Sequence, residues 1–486
     1  MKGIILAAAV FGLAAANGCG KKSGAPGNVV NPPVDTTDNS GNVNFEATIQ
    51  VDANFPYYKN RSVESIADEI AVAGYKTVRY LVLNESAVNA DLIHAFHAQG
   101  IKVWLQASGS VTYETNGYPA DWPSWKMELN NSVNGKDGYI FLSPFNKSFV
   151  KWKKEQLSKL MTTYPFDGVE LTEPYFPEWD AITKGTYGDV GPNAQAAFKS
   201  EYGLDVPDFN NPAAANYYKK LPDVYQKWMD CRVNAVNAYL NEVANGAGGI
   251  RAVRPDALIA TWSLGIDAGT NSVNLLREFQ GLDAGAMVKL VKPDIHFIQT
   301  HWPDWIKPAS QLPPDYMKNY KRFVDEVKAA DPKVKIGLQG DIGSGKEMVK
   351  SGEWVKAFEE AAPKYGYSTT TLYEYHIGGY MYTEAPSLKR AVRRGNDSLV
   401  LSFSKRMDAT TAGEKNNYQF LKDGKLTTVN ITSATVDGNR IILKAASFPA
   451  GKFEVMVSKL KDTPELWLFK GYPALEVANQ TKTTVE

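Results

Sequence analysis

YPFDGVELTEPYFPEWD, residues 164–180, packs a strand, a turn and a polar rim into one short stretch. Val169 and Leu171 alternate with Glu170 and Thr172, the period of two expected of a strand whose faces meet different surroundings. Pro174 and Pro177 stop it, and aromatic rings follow. Acidic groups inside a buried strand are costly unless partnered. Glu170 and Glu173 therefore point to something beyond packing.

Outward from this stretch the same unit recurs. Strands are expected at 47–55, 76–84, 101–108, 166–173, 257–264, 294–301, 334–341 and 370–377, each followed by a helical pattern. The last of these helices is SLKRAVRR, 387–394. Eight strand-helix units predict a (β/α)8 TIM barrel over 45–395. It is longer than the typical ~250 residues, and the excess lies after strands three and four, in loops on the face where such barrels carry out chemistry. An open doubly wound sheet would place a glycine-rich phosphate loop after the first strand, and DANFPYYKN is no such loop.

Taking the polar phase of each strand near its C-terminal end gives a ring. It comprises Asp52 and Asn54, Arg79, Gln106, Glu170 and Thr172, Thr261 and Ser263, Gln299 and His301, Gln339 and Asp341, Glu374 and His376. Packing alone gives no reason to gather so many polar groups at one end of a barrel. Arg79 is a candidate ion-pair partner for Asp52 or a substrate clamp. His296 reads as a core histidine on the helix-facing side, and Cys231, within a helix, as a small core residue. Rings flank the rim: Trp122 and Trp125, Tyr175, Phe176 and Trp179, Trp302 and Trp305, Tyr380 and Tyr382. Sugar C–H faces stack on such rings while polar groups fix orientation. Packing of the loops accounts for others. Expected substrate contacts are Asp52, Arg79, Gln106, Trp179, Trp262, Gln299, His301, Trp302, Tyr373 and His376.

Glycosidic bond cleavage needs two carboxyl groups, one to protonate the leaving oxygen and one to attack the sugar or activate water. Candidates are Glu173, Glu374, Asp341 and Glu170. Thr172-Glu173-Pro174 resembles the Asn-Glu-Pro of retaining clan-A glycoside hydrolases, with threonine in place of asparagine. Asp167-Gly168-Val169-Glu170 is similar to the start of the fourth strand in several polysaccharide-hydrolysing barrels. The resemblance implies that Glu173 is the general acid/base and that a partner carboxylate stands at the end of strand seven. That strand ends in Gln339-Gly340-Asp341, so the partner is Asp341, or Glu374 one strand later, or the enzyme is inverting. Two alternatives stay open: a non-catalytic glycan-binding scaffold, and a metal-dependent hydrolase using His301, Asp341, Glu374 and His376. The first strand lacks His-x-His and no HExxH occurs, so no metal or other cofactor is expected.

The chain opens with a short apolar run, and Ala16-Asn17-Gly18-Cys19 resembles a bacterial lipobox. Residues 1–18 are thus expected to be a signal peptide, with lipid on Cys19 and a flexible tether over 19–44, rich in Gly, Pro, Asn and Ser. The implied location is the bacterial cell envelope, with membrane contact through the anchor. Lysine plus arginine equals aspartate plus glutamate, 53 each, which gives no nucleic-acid footprint. The expected partner is a polysaccharide or oligosaccharide. After 396 the texture turns to short β-branched strands and tight turns. Phe403-Ser404-Lys405-Arg406-Met407-Asp408, followed by Asn417-Tyr418, resembles bacterial Ig-like domains of the SbsA type, implying an accessory β-sandwich over 396–486.

Overall fold

The computed structural model describes residues 45–485 apart from 87, 137, 178–180, 342–344 and 376–379, and the backbone only of 181 and 380. The expected signal peptide, Cys19 and the tether lie outside the described residues, as do Trp179 and His376. Among the described residues no helix is long and apolar enough to cross a membrane.

All eight expected barrel strands form. They are β1 (Glu46–Val51), β2 (Thr77–Val82), β3 (Lys102–Ser108), β4 (Gly168–Thr172), β5 (Leu258–Leu264), β6 (Ile295–Gln299), β7 (Lys335–Gly340) and β8 (Thr369–Leu372). Each pairs in parallel with its sequence neighbours, and β8 closes on β1. The chain is a TIM barrel in this region. Helices pack outside it, among them Val63–Val72, Ala90–Ala98, Lys147–Thr163 and Gly352–Ala361. Ser62, Asn89, Asn146 and Ser351 cap these four by accepting a backbone N–H of the first turn. Cys231 is buried in a separate aromatic cluster under the long loop after β4, with Tyr187, Phe198, Phe209 and Trp228.

The eighth helix does not form. SLKRAVRR instead supplies β9 (Leu388–Arg393), the first strand of a second sheet, so that sheet begins before the expected boundary at 396. Leu388, Ala391 and Val392 mimic helical spacing because the register of β9 shifts between Leu388 and Arg390. A bulge puts an extra residue into the strand, and both Leu388 and Ala391 then face the core.

The remaining strands are β10 (Ser398–Phe403), β11 (Tyr418–Lys422), β12 (Lys425–Thr427), β13 (Ile431–Asp437), β14 (Arg440–Ala445), β15 (Phe453–Val457) and β16 (Thr481–Val485). Hydrogen bonding joins them to β9 in one eight-stranded sheet, in the order β12-β11-β15-β16-β9-β10-β14-β13. The expectation was two facing Ig-like sheets. A single continuous sheet is found, because the parallel contact of Ala391 with Val485 links its two halves. Leu401, Phe403 and Leu443 from one half share a core with Phe420 and Val455 from the other.

Candidate active site

Register settles which side chains enter the barrel, because directly paired residues of neighbouring strands share a face. Gln50, Arg79, Trp104 and Gly168 are paired in turn around the barrel, as are Gln106, Glu170 and Ala260. Trp262 pairs with Phe297 and Gln299 with Gln339, which pairs with Thr371, itself level with Thr48. This set fills the lumen. Gly168 is required there, since a Cβ would stand 2.7 Å from the Trp104 ring.

The expected ring is corrected at β5. Thr261 and Ser263 face the helices, where their hydroxyls hold the two ring nitrogens of His296 at 2.9 and 2.8 Å. Trp262 takes the lumen, and its indole N–H donates to Gln339 Oε1 at 3.1 Å. His296 is fully buried, as expected of a core histidine, and burial pulls its pKa down to about 3.

Arg79 does not pair with Asp52. Its guanidinium lies 2.9 Å from Glu170 Oε2, with both side chains buried, and stacks between Trp104 and Phe297 at 4.5 and 4.2 Å. Burial pushes the Glu170 carboxyl up while Arg79 opposes it. This pair plugs the lumen below the rim. Gln106 and Gln299 occupy the same interior phase.

Glu173 stands at the mouth. The chain ends β4 and turns into the left-handed region at Glu173, φ 50°, an uncommon conformation for a residue with a side chain. The strand-three loop holds this kink. Ser110 donates from its N–H and its hydroxyl to Glu173 O, each at 3.3 Å, and from the hydroxyl to Tyr175 O at 3.0 Å. Gly109 permits the approach, since a Cβ there would meet Thr172 O at 2.8 Å and Pro174 at 2.9 Å. The Glu173 carboxylate accepts from Tyr139 Oη at 3.0 Å, and Tyr139 and Tyr175 hydroxyls are 2.9 Å apart. Burial raises the Glu173 carboxyl to about 6, against the lowering effect of hydrogen bonds from these two tyrosines. The residue as a whole is half-buried.

Around it runs an aromatic wall. Tyr113 packs on Tyr139 (5.6 Å between ring centroids), Tyr139 on Phe141 (5.2 Å), Phe141 on Tyr175 (6.2 Å) and Tyr175 on Trp262 (5.7 Å). Tyr113 is 46% exposed, and its hydroxyl feels the charges of both Glu173 and Asp52. The hydroxyl of half-buried Tyr373 feels Tyr113, Asp341, Glu374 and Asp52. Burial raises both phenols, which keeps them protonated and able to donate. Beside Asp341, the Lys350 ammonium donates to Met348 O and Trp305 O at 2.9 and 3.2 Å; burial lowers it to about 8.

Glu374 also lies in the left-handed region, φ 47°, just past β8. It is 1% exposed. One carboxylate oxygen accepts the Asp52 N–H at 2.5 Å and the other the Tyr58 hydroxyl at 2.6 Å. Both oxygens are thus engaged in holding the end of β1. Asp52 in turn accepts Asn54 N–H at 2.9 Å.

Of the expected rim rings, Trp125, Phe176, Trp305 and Tyr382 are buried in loop or interface packing, whereas Trp302 is 50% exposed, its ring 6.0 Å from that of His301. Burial lowers His301 to about 3. Among the described residues no three His, Cys, Asp or Glu side chains gather as a metal-binding group. Sequence reasoning missed Tyr58, Tyr113 and Tyr139. Their only signal was position, in PYY after β1 and in the overlong loop after β3.

No protein-family model matches the chain, and no curated protein matches it. Solved structures do share its fold. The PgaB (BpsB) glycoside hydrolase domain from Bordetella bronchiseptica superposes with TM-score 0.50 at 16% identity, covering 68% of this chain and 94% of that one. The glycoside hydrolase domain of PelA from Pseudomonas aeruginosa gives 0.36 at 9%, covering 67% and 93%. A GH18 chitinase from Pseudoalteromonas aurantia gives 0.34 at 10%, covering 68% and 94%. The likeness to the PgaB domain is one of barrel fold.

Proposed function

We propose that this chain is a glycoside hydrolase that cleaves a polysaccharide or oligosaccharide, with Glu173 as general acid and Asp341 as its carboxylate partner. The observation that carries the reading is Glu173. A half-buried carboxyl at the end of β4, raised to about 6 and set among tyrosine donors, is protonated over the acidic range where an acid catalyst is needed. Glu173 gives its proton to the glycosidic oxygen as the bond to the anomeric carbon breaks. Asp341, at the end of β7, supplies the electron pair, directly to that carbon or through a water it deprotonates. Asp52, Tyr373 and the exposed Tyr113 orient the sugar, and Trp302 offers a further stacking face. Glu170 is bound to Arg79 and shapes the floor. Glu374 holds β1.

The lipobox-like Ala16-Asn17-Gly18-Cys19 supports export and lipid anchoring at the cell envelope. A Cys19→Ala variant should then leave the membrane fraction.

The decisive experiment screens polysaccharides for released reducing ends with wild type, Glu173→Gln and Asp341→Asn. Turnover by the wild type and its loss in both variants, with glycan binding retained, is the expected result. Binding without turnover by the wild type would make the chain a glycan-binding scaffold. The anomeric configuration of the first product separates retention from inversion.

A further inference from the structure

Lys405 and Arg406 are adjacent in the turn after β10 of the second sheet. Both reach across to the barrel. The Arg406 guanidinium donates to three carbonyls of the loop after β1: Tyr57 O and Lys59 O at 2.7 Å each and Asn60 O at 3.1 Å. Its backbone N–H donates to the Tyr57 hydroxyl at 3.2 Å. Lys405 Nζ donates to Met381 O at 3.1 Å and to Glu384 O, in the segment after β8, and pairs with Asp462 at 3.1 Å. One dipeptide therefore grips the two barrel loops that lie on either side of Asp52 and Glu374.

The path continues into the cleft. The gripped loop carries Tyr58, whose hydroxyl donates to Glu374, and Glu374 accepts the Asp52 N–H. Asn60 and Glu374 both sit in the left-handed region, at φ 54° and 47°, where a side chain is disfavoured. Such conformations persist only when surrounding contacts over-determine them. The Arg406 bonds are among those contacts.

We infer that the Lys405–Arg406 pair of the second sheet positions Asp52 and Glu374 of the barrel, making the sheet a part of the site. Arg406 is a positioning residue: it acts through loop 56–60 and touches no substrate. The idea rests on the glycoside hydrolase reading for its kinetic consequence, but not for its structural one.

The test uses the full chain with Arg406→Ala, Arg406→Lys and Arg390→Ala. Arg406→Ala keeps the backbone bond to Tyr57 and deletes only the guanidinium. Arg390→Ala removes another barrel–sheet ion pair, to Asp68, that does not touch loop 56–60. Hydrogen–deuterium exchange over residues 50–60 reads the clamp without any substrate. Expected for Arg406→Ala is faster exchange there, with the rest of the barrel protected as in wild type, and a kcat lower by roughly tenfold or more with little change in KM. Arg406→Lys should recover part of both effects, since lysine keeps the charge but cannot bridge three carbonyls. Arg390→Ala should change neither. Unaltered exchange over 50–60 in Arg406→Ala overturns the inference, as does an equal change in Arg390→Ala. A wild type that hydrolyses no glycan overturns the functional reading instead, and the exchange result still decides the clamp.

Discussion

Replacing Tyr139 by phenylalanine isolates what sets the acidity of Glu173. Burial raises this carboxyl, and hydrogen bonds from Tyr139 and Tyr175 lower it, leaving it at about 6. The Tyr139 hydroxyl donates to Oε2 at 3.0 Å, an interaction that favours the carboxylate over the acid. Hydrogen bonds to charged groups contribute ~1.5–3 kcal/mol, and one unit of pKa corresponds to ~1.4 kcal/mol. Losing the bond outright would thus raise the carboxyl by about 1–2 units. Tyr175 remains as a donor, so a rise of about 1 unit is expected. The ring stays, and its contacts with Tyr113 and Phe141 are kept by phenylalanine. A general acid works only while protonated, so the alkaline limb of the kcat/KM profile reports this group. In Tyr139→Phe that limb should move to higher pH by about 1 unit, with the acid limb in place. A limb that stays put, or moves to lower pH, refutes the assignment of Glu173 as the titrating acid.

Stability should fall with rising pH through the same group, as activity does. With its pKa raised from an ordinary 4.5 to about 6, Glu173 costs nothing near pH 4, destabilises increasingly as pH rises through that interval, and reaches a constant penalty above it. The shift corresponds to at most ~2 kcal/mol, trimmed toward ~1 by the side chain's access to solvent. Glu173→Gln should match wild type near pH 4 and exceed it by that amount at pH 7 in urea unfolding; equal stability at both would contradict the burial argument. Glu170→Gln should cost ~3–5 kcal/mol in the same assay, because it strands the Arg79 guanidinium in the sealed lumen. A loss under ~1 kcal/mol would mean that Arg79 has adequate company elsewhere. His296 gives a limb of the other sign: its lowered pKa makes its contribution complete above ~6.5, the ordinary histidine value, and progressively lost as pH falls toward 3. His296→Gln should therefore flatten the decline in stability between pH 7 and 5, worth ~2 kcal/mol, and an unchanged slope would place the acid sensitivity in another group.

The barrel was legible because its signals are local. A strand of period two followed by a helix of period 3.6 shows in any short window, and eight repeats leave little choice of closure. The place of Glu173 just past the end of β4 was legible for the same reason, marked by a strand end and a proline. What failed depended on partners far along the chain. The alternation in β5 reads equally well with either face inward; a buried histidine 35 and 33 residues away, able to satisfy Thr261 and Ser263 together, decides it. Arg79 had two acids to choose from. Asp52 lies two residues beyond Gln50, the β1 partner of Arg79, roughly 6–7 Å further up the barrel. Glu170 lies two strands across and, like Asp52, two residues beyond the register of Arg79, since Arg79 is level with Trp104 and Gly168. Height therefore does not separate the two acids; the guanidinium lies across the interior beside Glu170, sandwiched between Trp104 and Phe297. The choice leaves Asp52 at the rim, held through its backbone by Glu374 and with its carboxylate toward the cleft tyrosines. Which acid Arg79 meets thus goes with the rings around its guanidinium, a contact that no short window of sequence contains.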